Sequence, residues 1–112
     1  MAVRMTKPWV ELSPECVKTL TGQLGVYQLA DAKGEIVFIG FAGGRSLFGL
    51  RGEVQKALGD APSGATRFRV EVNQQYTTRY QELLMVHVHD HGDVPTGNKG
   101  QPLPRLGRLS PD

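Results

Sequence analysis

The sequence predicts an α+β fold in which a small three-stranded antiparallel sheet is flanked by helices. Residues 26–30 and 35–41 are apolar runs joined by the turn 31–34, whose Asp and Gly ends suit a tight hairpin. A third run, residues 66–72, alternates polar and apolar side chains, which is typical of a half-solvated strand. Segments with helical spacing lie before, between and after these runs, and they supply the flanking layers.

Three segments are predicted to be helical. Residues 14–20 follow Ser13, a favourable N-cap, and begin with proline, which suits the first helical position. Residues 48–58 carry apolar side chains at i, i+4 and i+8 and end before a glycine. Residues 78–90 begin with a Thr and a Gln spaced as in a capping box.

The alternation within the strands predicts how the sheet is covered. The second hairpin strand, residues 35–41, is apolar on both faces, so it is predicted to lie inside the sheet rather than at an edge. In the third strand the side chains are expected to alternate, inward for Phe68, Val70 and Val72 and outward for Arg67, Arg69 and Glu71.

The end of the chain differs in composition from the rest. After Gly92 it is rich in Gly and Pro and has no periodicity, which predicts an extended tail that is partly ordered at most. We therefore expect a single domain over residues 1–98, including the N-terminal helix, and a tail over residues 99–112.

Composition limits the classes of protein to consider. A chain of 112 residues with 39% hydrophobic content can bury one modest core. The net charge is only +2, so any nucleic-acid contact must come from local clusters of Arg and Lys. Cys16 is the single cysteine, which excludes an intramolecular disulfide. No run approaches the roughly 18 apolar residues of a membrane span, and the start lacks the apolar core of a signal peptide, so a cytoplasmic protein without a membrane partner is expected.

Five features occur in an order that resembles a known nuclease family. They are two short motifs, Gly25-Val26-Tyr27 and Phe38-Ile39-Gly40, then Arg51, Glu82 and the segment Pro95-Thr96-Gly97-Asn98. Over residues 23–98 the chain resembles the GIY-YIG nuclease domain, and the predicted order of elements agrees with that family's three-stranded sheet flanked by helices. Each motif alone is weak, because similar triplets occur in many hairpins.

The resemblance implies hydrolysis of DNA phosphodiester bonds with one divalent ion, Mg²⁺ or Mn²⁺. By position, Tyr27 would act as base or would orient the attacking water. Arg51, or Arg45 in its place, would stabilise charge on the phosphate. Glu82 would hold the metal, and Asn98 would support the site or contact phosphate. Considered singly, the same side chains could be a core aromatic, surface charges, a solvent-facing carboxylate and a turn residue.

Departures from the family pattern keep a second function open. Phe38 stands where the second motif usually has tyrosine, and Phe41 stands where many members have lysine. The loop that carries Arg45 is also longer than in simple members. The alternative is therefore a catalytically degenerate domain that binds nucleic acid or protein.

A histidine cluster offers a third hypothesis. His87 and His91 have the i, i+4 spacing that lets two imidazoles share a metal, with Asp90 or Asp93 as further ligands. A surface cluster without a metal role is the alternative. His89 lies seven residues after Glu82 and therefore on nearly the same side of the helix, where it could carry a proton or contact phosphate.

Basic side chains suggest where DNA could lie. Arg67 and Arg69, on the expected solvated face of the third strand, could form a strip toward the nucleic-acid backbone together with Lys33 or Lys99. A solubilising surface explains them equally well. Because so small a domain offers little surface for reading bases, cleavage is expected to be non-specific or selective for structured or nicked DNA unless the chain forms a homodimer or a larger assembly.

Overall fold

A computed structural model describes residues 4–60 and 62–99, which form four strands and three α-helices. In chain order the elements are β1 (Val10–Glu11), α1 (Pro14–Val17), β2 (Gly25–Ala30), β3 (Ile36–Ala42), α2 (Gly49–Asp60), β4 (Arg67–Val72) and α3 (Tyr76–His91). Short 3₁₀ turns lie at Pro62–Gly64 and Thr96–Asn98.

The four strands form one antiparallel sheet in the order β1-β4-β2-β3. The α+β class and the three predicted strands are confirmed, and β1 is an additional strand. Its two residues pair with Arg67 and Phe68 of β4. A strand of two residues is too short to show an alternation of polar and apolar side chains in the sequence. It can be recognised only from its pairing with a distant segment.

Strand β3 lies at the edge of the sheet, so the prediction of an interior position was wrong. Its apolar character on both faces has another cause, because helices cover both sides of the strand and the chain end covers its open edge. Ile39 donates its backbone N–H to Oδ1 of Asn98 at 2.9 Å, and Asn98 donates from Nδ2 to the carbonyl of Ile39 at 2.8 Å. The side-chain amide thereby takes the place of a neighbouring strand.

The chain after α3 is more ordered than the predicted extended tail. Gly92 adopts a left-handed conformation (φ 84°) and donates its N–H to the carbonyl of Val88, which ends the helix. The next residues turn back along β3, where Gly97 lies so close that a Cβ there would stand 2.6 Å from the carbonyl oxygen of Val37. Only glycine fits this approach. Residues 100–112, nearly all of the predicted tail, lie outside the described residues.

Two apolar clusters pack on opposite faces of the sheet. Alternate residues of β2 divide between them, with Tyr27 and Leu29 on one face and Val26 on the other. The first cluster includes side chains from α1 and α2, among them Val17, Leu50, Val54 and Ala57. The second includes side chains from α3, namely Tyr80, Leu83 and Leu84. The sheet therefore separates α2 from α3.

Of the two N-terminal caps predicted for helices, one is present in the structure and the other is not. Oγ of Ser13 accepts a hydrogen bond from the backbone N–H of Cys16 at 3.3 Å, as the predicted cap requires, although α1 ends already at Val17. Helix α3 begins at Tyr76, and Gln75 before it makes no side-chain capping bond, so the capping box predicted at Thr78 was wrong. Among the described residues, no helix has the length and apolar character to cross a bilayer.

Replacing Asn98 with Ala is expected to lower the free energy of unfolding by about 2–4 kcal/mol, because it leaves a buried N–H and a buried carbonyl of Ile39 without partners. Urea denaturation would measure this. Asn98→Asp, which places a buried carboxylate oxygen against the Ile39 carbonyl, should cost at least as much as Asn98→Ala, and Thr96→Ala, at an exposed position in the same turn, should be nearly neutral. Equal midpoints for Asn98→Ala and Thr96→Ala would contradict the role assigned to the amide.

Candidate functional site at the sheet edge

Tyr27 lies on the central strand β2 and extends its ring across Gly40 of β3. The two residues are directly opposite in the register, and a Cβ on Gly40 would stand 2.4 Å from Cζ and 2.5 Å from the hydroxyl oxygen of Tyr27. The ring also contacts Phe38, with centroids 5.9 Å apart. The glycine of the second motif is thus required by the tyrosine of the first.

The Tyr27 phenol is held in its neutral form. The side chain is only 6% exposed, and burial raises its pKa far above the usual value, with the negative charge of Glu53 and the phenol of Tyr80 adding to the rise. None of these groups is a cation that would favour the phenolate. The hydroxyl can therefore donate or accept a hydrogen bond, but it is a poor base at neutral pH.

Glu53 is a candidate that the sequence reasoning missed. The negative charge of its carboxylate contributes to the raised pKa of Tyr27. The same carboxylate forms an ion pair with Nζ of Lys56 at 3.2 Å. Leu50, Val54 and Ala57 form the buried stripe of α2, and Glu53, three residues after Leu50, lies beside that stripe. The sequence signal that could have identified Glu53 is the position of a carboxylate beside the apolar stripe of a predicted helix.

Tyr80 and Asn98 complete the group around Gly40. Burial raises the pKa of Tyr80, and a hydrogen bond with the side chain of Asn98 acts in the opposite direction. Asn98 is fully buried and is bonded to Ile39, the neighbour of Gly40. Of the two roles expected for Asn98, this placement suits support of the site, because no phosphate can reach it.

Glu82 meets a cation in the structure. Its Oε1 accepts from Nη1 of Arg79 at 3.2 Å, and its side chain is 40% exposed. Arg79 is buried and also bonds both carboxylate oxygens of Glu71, at 2.8 and 3.2 Å. Burial raises the pKa of Glu71, but the hydrogen bonds and charge of Arg79 outweigh this and lower it. Arg79 therefore joins β4 to α3, a role that the sequence reasoning missed.

The residues present fit a divalent ion only in a limited way. Within residues 4–60 and 62–99, no group of three or more His, Cys, Asp or Glu side chains comes together. Mg²⁺ does not need such a cage, because it commonly takes one or two carboxylates and completes its octahedron with waters and substrate phosphate. The partly exposed carboxylate of Glu82 fits that kind of site.

The two candidate phosphate-binding arginines lie away from the Tyr27 ring. Arg51 is exposed and lines a groove on the outer side of α2, about 100° around the helix from Leu50. Arg45 is exposed in the loop between β3 and α2. Neither side chain makes a hydrogen bond or an ion pair within the part of the chain that the structure describes. The structure therefore leaves both guanidinium groups open to solvent.

Phe41, which stands where the family pattern has lysine, takes part in an aromatic cluster on the α3 side. Its ring stacks on Tyr76 with centroids 5.6 Å apart and an interplanar angle of 11°, and it contacts Tyr80 at 4.9 Å. These ring contacts hold the start of α3 against β3.

The histidines separate into one buried and two exposed side chains. His87 is buried, and its Nδ1 lies 2.7 Å from the carbonyl oxygen of Asp93, so Nδ1–H is the donor. Its ring contacts that of His91, with centroids 4.4 Å apart and the ring planes tilted by 33°. His89 is exposed. The described residues around this pair do not supply a third ligand, so the geometry does not favour the metal hypothesis.

The predicted basic strip is largely engaged in contacts within the chain. Arg69 is not on a solvated face, since Nε donates to Oε1 of Gln28 at 2.7 Å and the guanidinium lies 4.1 Å from the Trp9 ring centroid. Arg67 reaches the carbonyl of Ala32 at 3.4 Å, and Lys99 pairs with Asp93 at 3.2 Å. In the same strand Val72, expected inside, is 55% exposed.

Comparison with known proteins places the chain in a family without supplying an activity. A family model described as a domain of unknown function (DUF7508) matches residues 3–90, most of the chain. No curated protein matches the sequence. The match covers β1 to nearly the end of α3 and ends before Asn98.

Gly40→Ala is expected to lower the free energy of unfolding by about 1–3 kcal/mol, because the new Cβ overlaps the Tyr27 ring. The same substitution in a Tyr27→Leu background should cost less, with a coupling energy of about 1 kcal/mol or more in a double-mutant cycle. Gly44→Ala, where a Cβ would meet nothing within 4 Å, is the matched control. An equal loss in both backgrounds would show that the crossing does not constrain Gly40.

The free energy of unfolding is expected to fall as the pH is lowered from about 7 to 5. Burial lowers the pKa of His87, outweighing its bond to Asp93, so below about pH 6.5 the unfolded chain binds a proton that the folded chain does not. Urea titrations of His87→Asn, whose amide can replace Nδ1–H, should show a flatter pH dependence. His89→Asn, at an exposed position, should keep the wild-type slope. A wild-type slope in His87→Asn would refute the assignment.

Proposed function

Because this chain belongs to the DUF7508 family, whose description assigns no activity, we propose its function from the site: it is a divalent-metal-dependent endonuclease of the GIY-YIG type that hydrolyses DNA phosphodiester bonds. The observation that carries the proposal is the Tyr27 hydroxyl, laid across Gly40 at the sheet edge with the Glu53 carboxylate near enough to influence it. The motif order described above supports the same reaction class.

Within this proposal Tyr27 orients the attacking water rather than deprotonating it. Burial keeps the phenol neutral, so it can accept a hydrogen bond from water or donate one to a phosphate oxygen. A carboxylate is the better proton acceptor, and Glu53 is the one whose charge reaches Tyr27. The proton of the attacking water then passes to Glu53, whose carboxylate is paired with Nζ of Lys56.

The remaining residues bind and position the substrate. Glu82 would hold Mg²⁺ or Mn²⁺, which when bound supplies Lewis-acid stabilisation of charge on the phosphate oxygens. Arg79 keeps the Glu82 carboxylate oriented through Nη1. The exposed Arg51 and Arg45 are available to phosphates on the outer side of α2. Asn98 acts at a distance, because it fixes the strand that carries Gly40.

A second candidate is a catalytically degenerate domain that binds nucleic acid or protein. The contact between Arg79 and Glu82 favours it, because a guanidinium already occupies one oxygen of the metal-binding carboxylate. Phe38 also contacts Tyr27 without a hydroxyl that could hold a second water. In either case we propose DNA as the partner, the cytoplasm as the compartment, and a homodimer or larger assembly wherever sequence selectivity is needed.

Cleavage of supercoiled and branched DNA with Mg²⁺ or Mn²⁺ tests the proposal. Glu82→Gln and Tyr27→Phe should each reduce the nicking rate by about 100-fold or more, since each removes a group that acts in the reaction. Glu35→Gln, at an exposed position in the β2–β3 turn, is the matched control and should keep the wild-type rate. Thermal unfolding of each variant verifies that it is folded.

The outcomes separate the two candidates. Nicking that survives in Glu82→Gln would show that the activity does not come from this site. If no protein nicks DNA while the wild type binds it in a salt-dependent manner, the degenerate candidate is correct.

A further inference from the structure

The loop that enters α2 presents two large apolar side chains to solvent. Leu47 is 73% exposed and Phe48 is 77% exposed, the highest values among the exposed large hydrophobic residues that the structure describes. They precede Gly49, the first residue of the helix. Folding alone gives no reason to place them there, because neither side chain joins the two apolar clusters.

The backbone holds Phe48 in a strained conformation. Its φ is +63°, a left-handed value that is unfavourable for a bulky aromatic residue, and Gly49 follows at +57°. The surrounding loop is anchored, since Leu50 donates to the carbonyl of Gln23 at 2.9 Å and Arg51 donates to that of Thr21 at 3.2 Å. The strained residue is therefore fixed in direction, with its ring toward solvent.

Cations surround this apolar point. A groove of about 570 Å³ beside it is lined by Leu47, Phe48, Arg51, Gly52, Gln55 and Lys56. Two of these residues are cations, and Lys56 also pairs with the neighbouring Glu53 carboxylate at 3.2 Å. Arg45 lies two residues before Leu47 and is exposed. The surface thus combines a protruding aromatic ring with a positive rim, which we call the Phe48 wedge (Arg45, Leu47, Phe48, Arg51 and Lys56).

We propose that the Phe48 wedge inserts at interrupted or unstacked steps of DNA, so that the chain prefers nicked, flapped or bulged DNA to intact duplex. Phosphates complement Arg45, Arg51 and Lys56, and an exposed base provides a face for the ring. Apolar side chains are the usual wedges between base steps, and interrupted steps need less unstacking. The proposal names the substrate class of the endonuclease and so rests, for its DNA partner, on the proposed function.

Charge and shape favour DNA over the other occupants of such a surface. A second copy of the chain would bring two positive rims together across an isologous contact. An acidic amphipathic peptide would match the charge, but it offers the projecting Phe48 ring no planar base to stack on, as unstacked DNA does. The outer side of α2, which carries Arg51, lies on the helix that also carries Glu53, so one helix joins the wedge to the proposed site.

Binding to fluorescein-labelled 24-base-pair duplexes, intact or with a central two-nucleotide bulge, tests the inference. The full chain carrying Glu82→Gln is used throughout, so that cleavage does not interfere. We expect the bulged duplex to bind about tenfold more tightly than the intact one. Phe48→Ala should remove most of that preference while changing binding to intact duplex by less than about twofold. Phe48→Trp, which keeps an aromatic ring at this position, should retain the preference for the bulged duplex.

Two controls isolate the ring from other effects. Val72→Ala removes another exposed apolar side chain, on β4, and should leave the preference unchanged. Arg51→Gln should weaken binding to both duplexes by a similar factor, because phosphate contacts do not depend on base stacking. The fluorescence of a 2-aminopurine placed beside the bulge should change when the protein that retains Phe48 binds. It should not change when the Phe48→Ala variant binds.

Equal affinity for bulged and intact DNA, an equal loss on both in Phe48→Ala, or no DNA binding would overturn the inference. So would self-association, or binding of an acidic helical peptide, that depends on Phe48 while the preference for bulged DNA is absent. Metal-dependent nicking without any Phe48 effect would refute the wedge and leave the endonuclease standing. A Phe48-dependent preference without nicking by the unmodified chain would refute the endonuclease and leave the wedge standing.

Discussion

The paired hydrogen bonds between Asn98 and Ile39 are the constraint on which the rest of the site depends. They pair the backbone N–H and carbonyl of Ile39, on the open edge of the seven-residue strand β3, with a side-chain amide instead of another strand. Because Gly40 follows Ile39, the same two bonds fix the place where the Tyr27 ring crosses. Tyr80 is then positioned by its own bond to Asn98.

Burial and charge at this edge decide what chemistry is available. The Tyr27 ring is enclosed between Phe38, Gly40 and the α2 side of the core, which is why its hydroxyl stays protonated. The Glu53 carboxylate of α2 acts on Tyr27 from one face of the sheet, whereas Glu82 of α3 lies on the opposite face, against Arg79. Arg79 pairs with both Glu71 and Glu82, so the carboxylate proposed to hold a metal already has a cation as its partner.

The two sides of helix α2 contribute to different parts of the structure. Its buried stripe supports the core and places Glu53 beside Tyr27, while its outer side presents Arg51 and the apolar groove next to Phe48. A surface that combines exposed cations with a fixed aromatic ring differs from the basic strip expected on β4, where Arg69 stacks on Trp9 and bonds Gln28. The charged side chain of Arg51, on the outer side of a helix, is exposed to solvent, whereas that of Arg69, on an interior strand, contacts other side chains.

The hairpin, β4, α2 and most of α3 were determined by the sequence itself, because turn chemistry and side-chain periodicity act over a few residues and need no distant partner. The Ser13 cap belongs to the same local category, whereas the pairing of Tyr27 with Gly40 also depends on a register shift between Leu29 and Ala30 that the turn residues did not reveal. Tertiary structure alone decided that β3 lies at the edge, that Asn98 covers it, that Glu53 comes near Tyr27 and that Arg79 joins two glutamates. Each of these depends on contacts between segments far apart in the chain, whose geometry is set by packing and not by local preference.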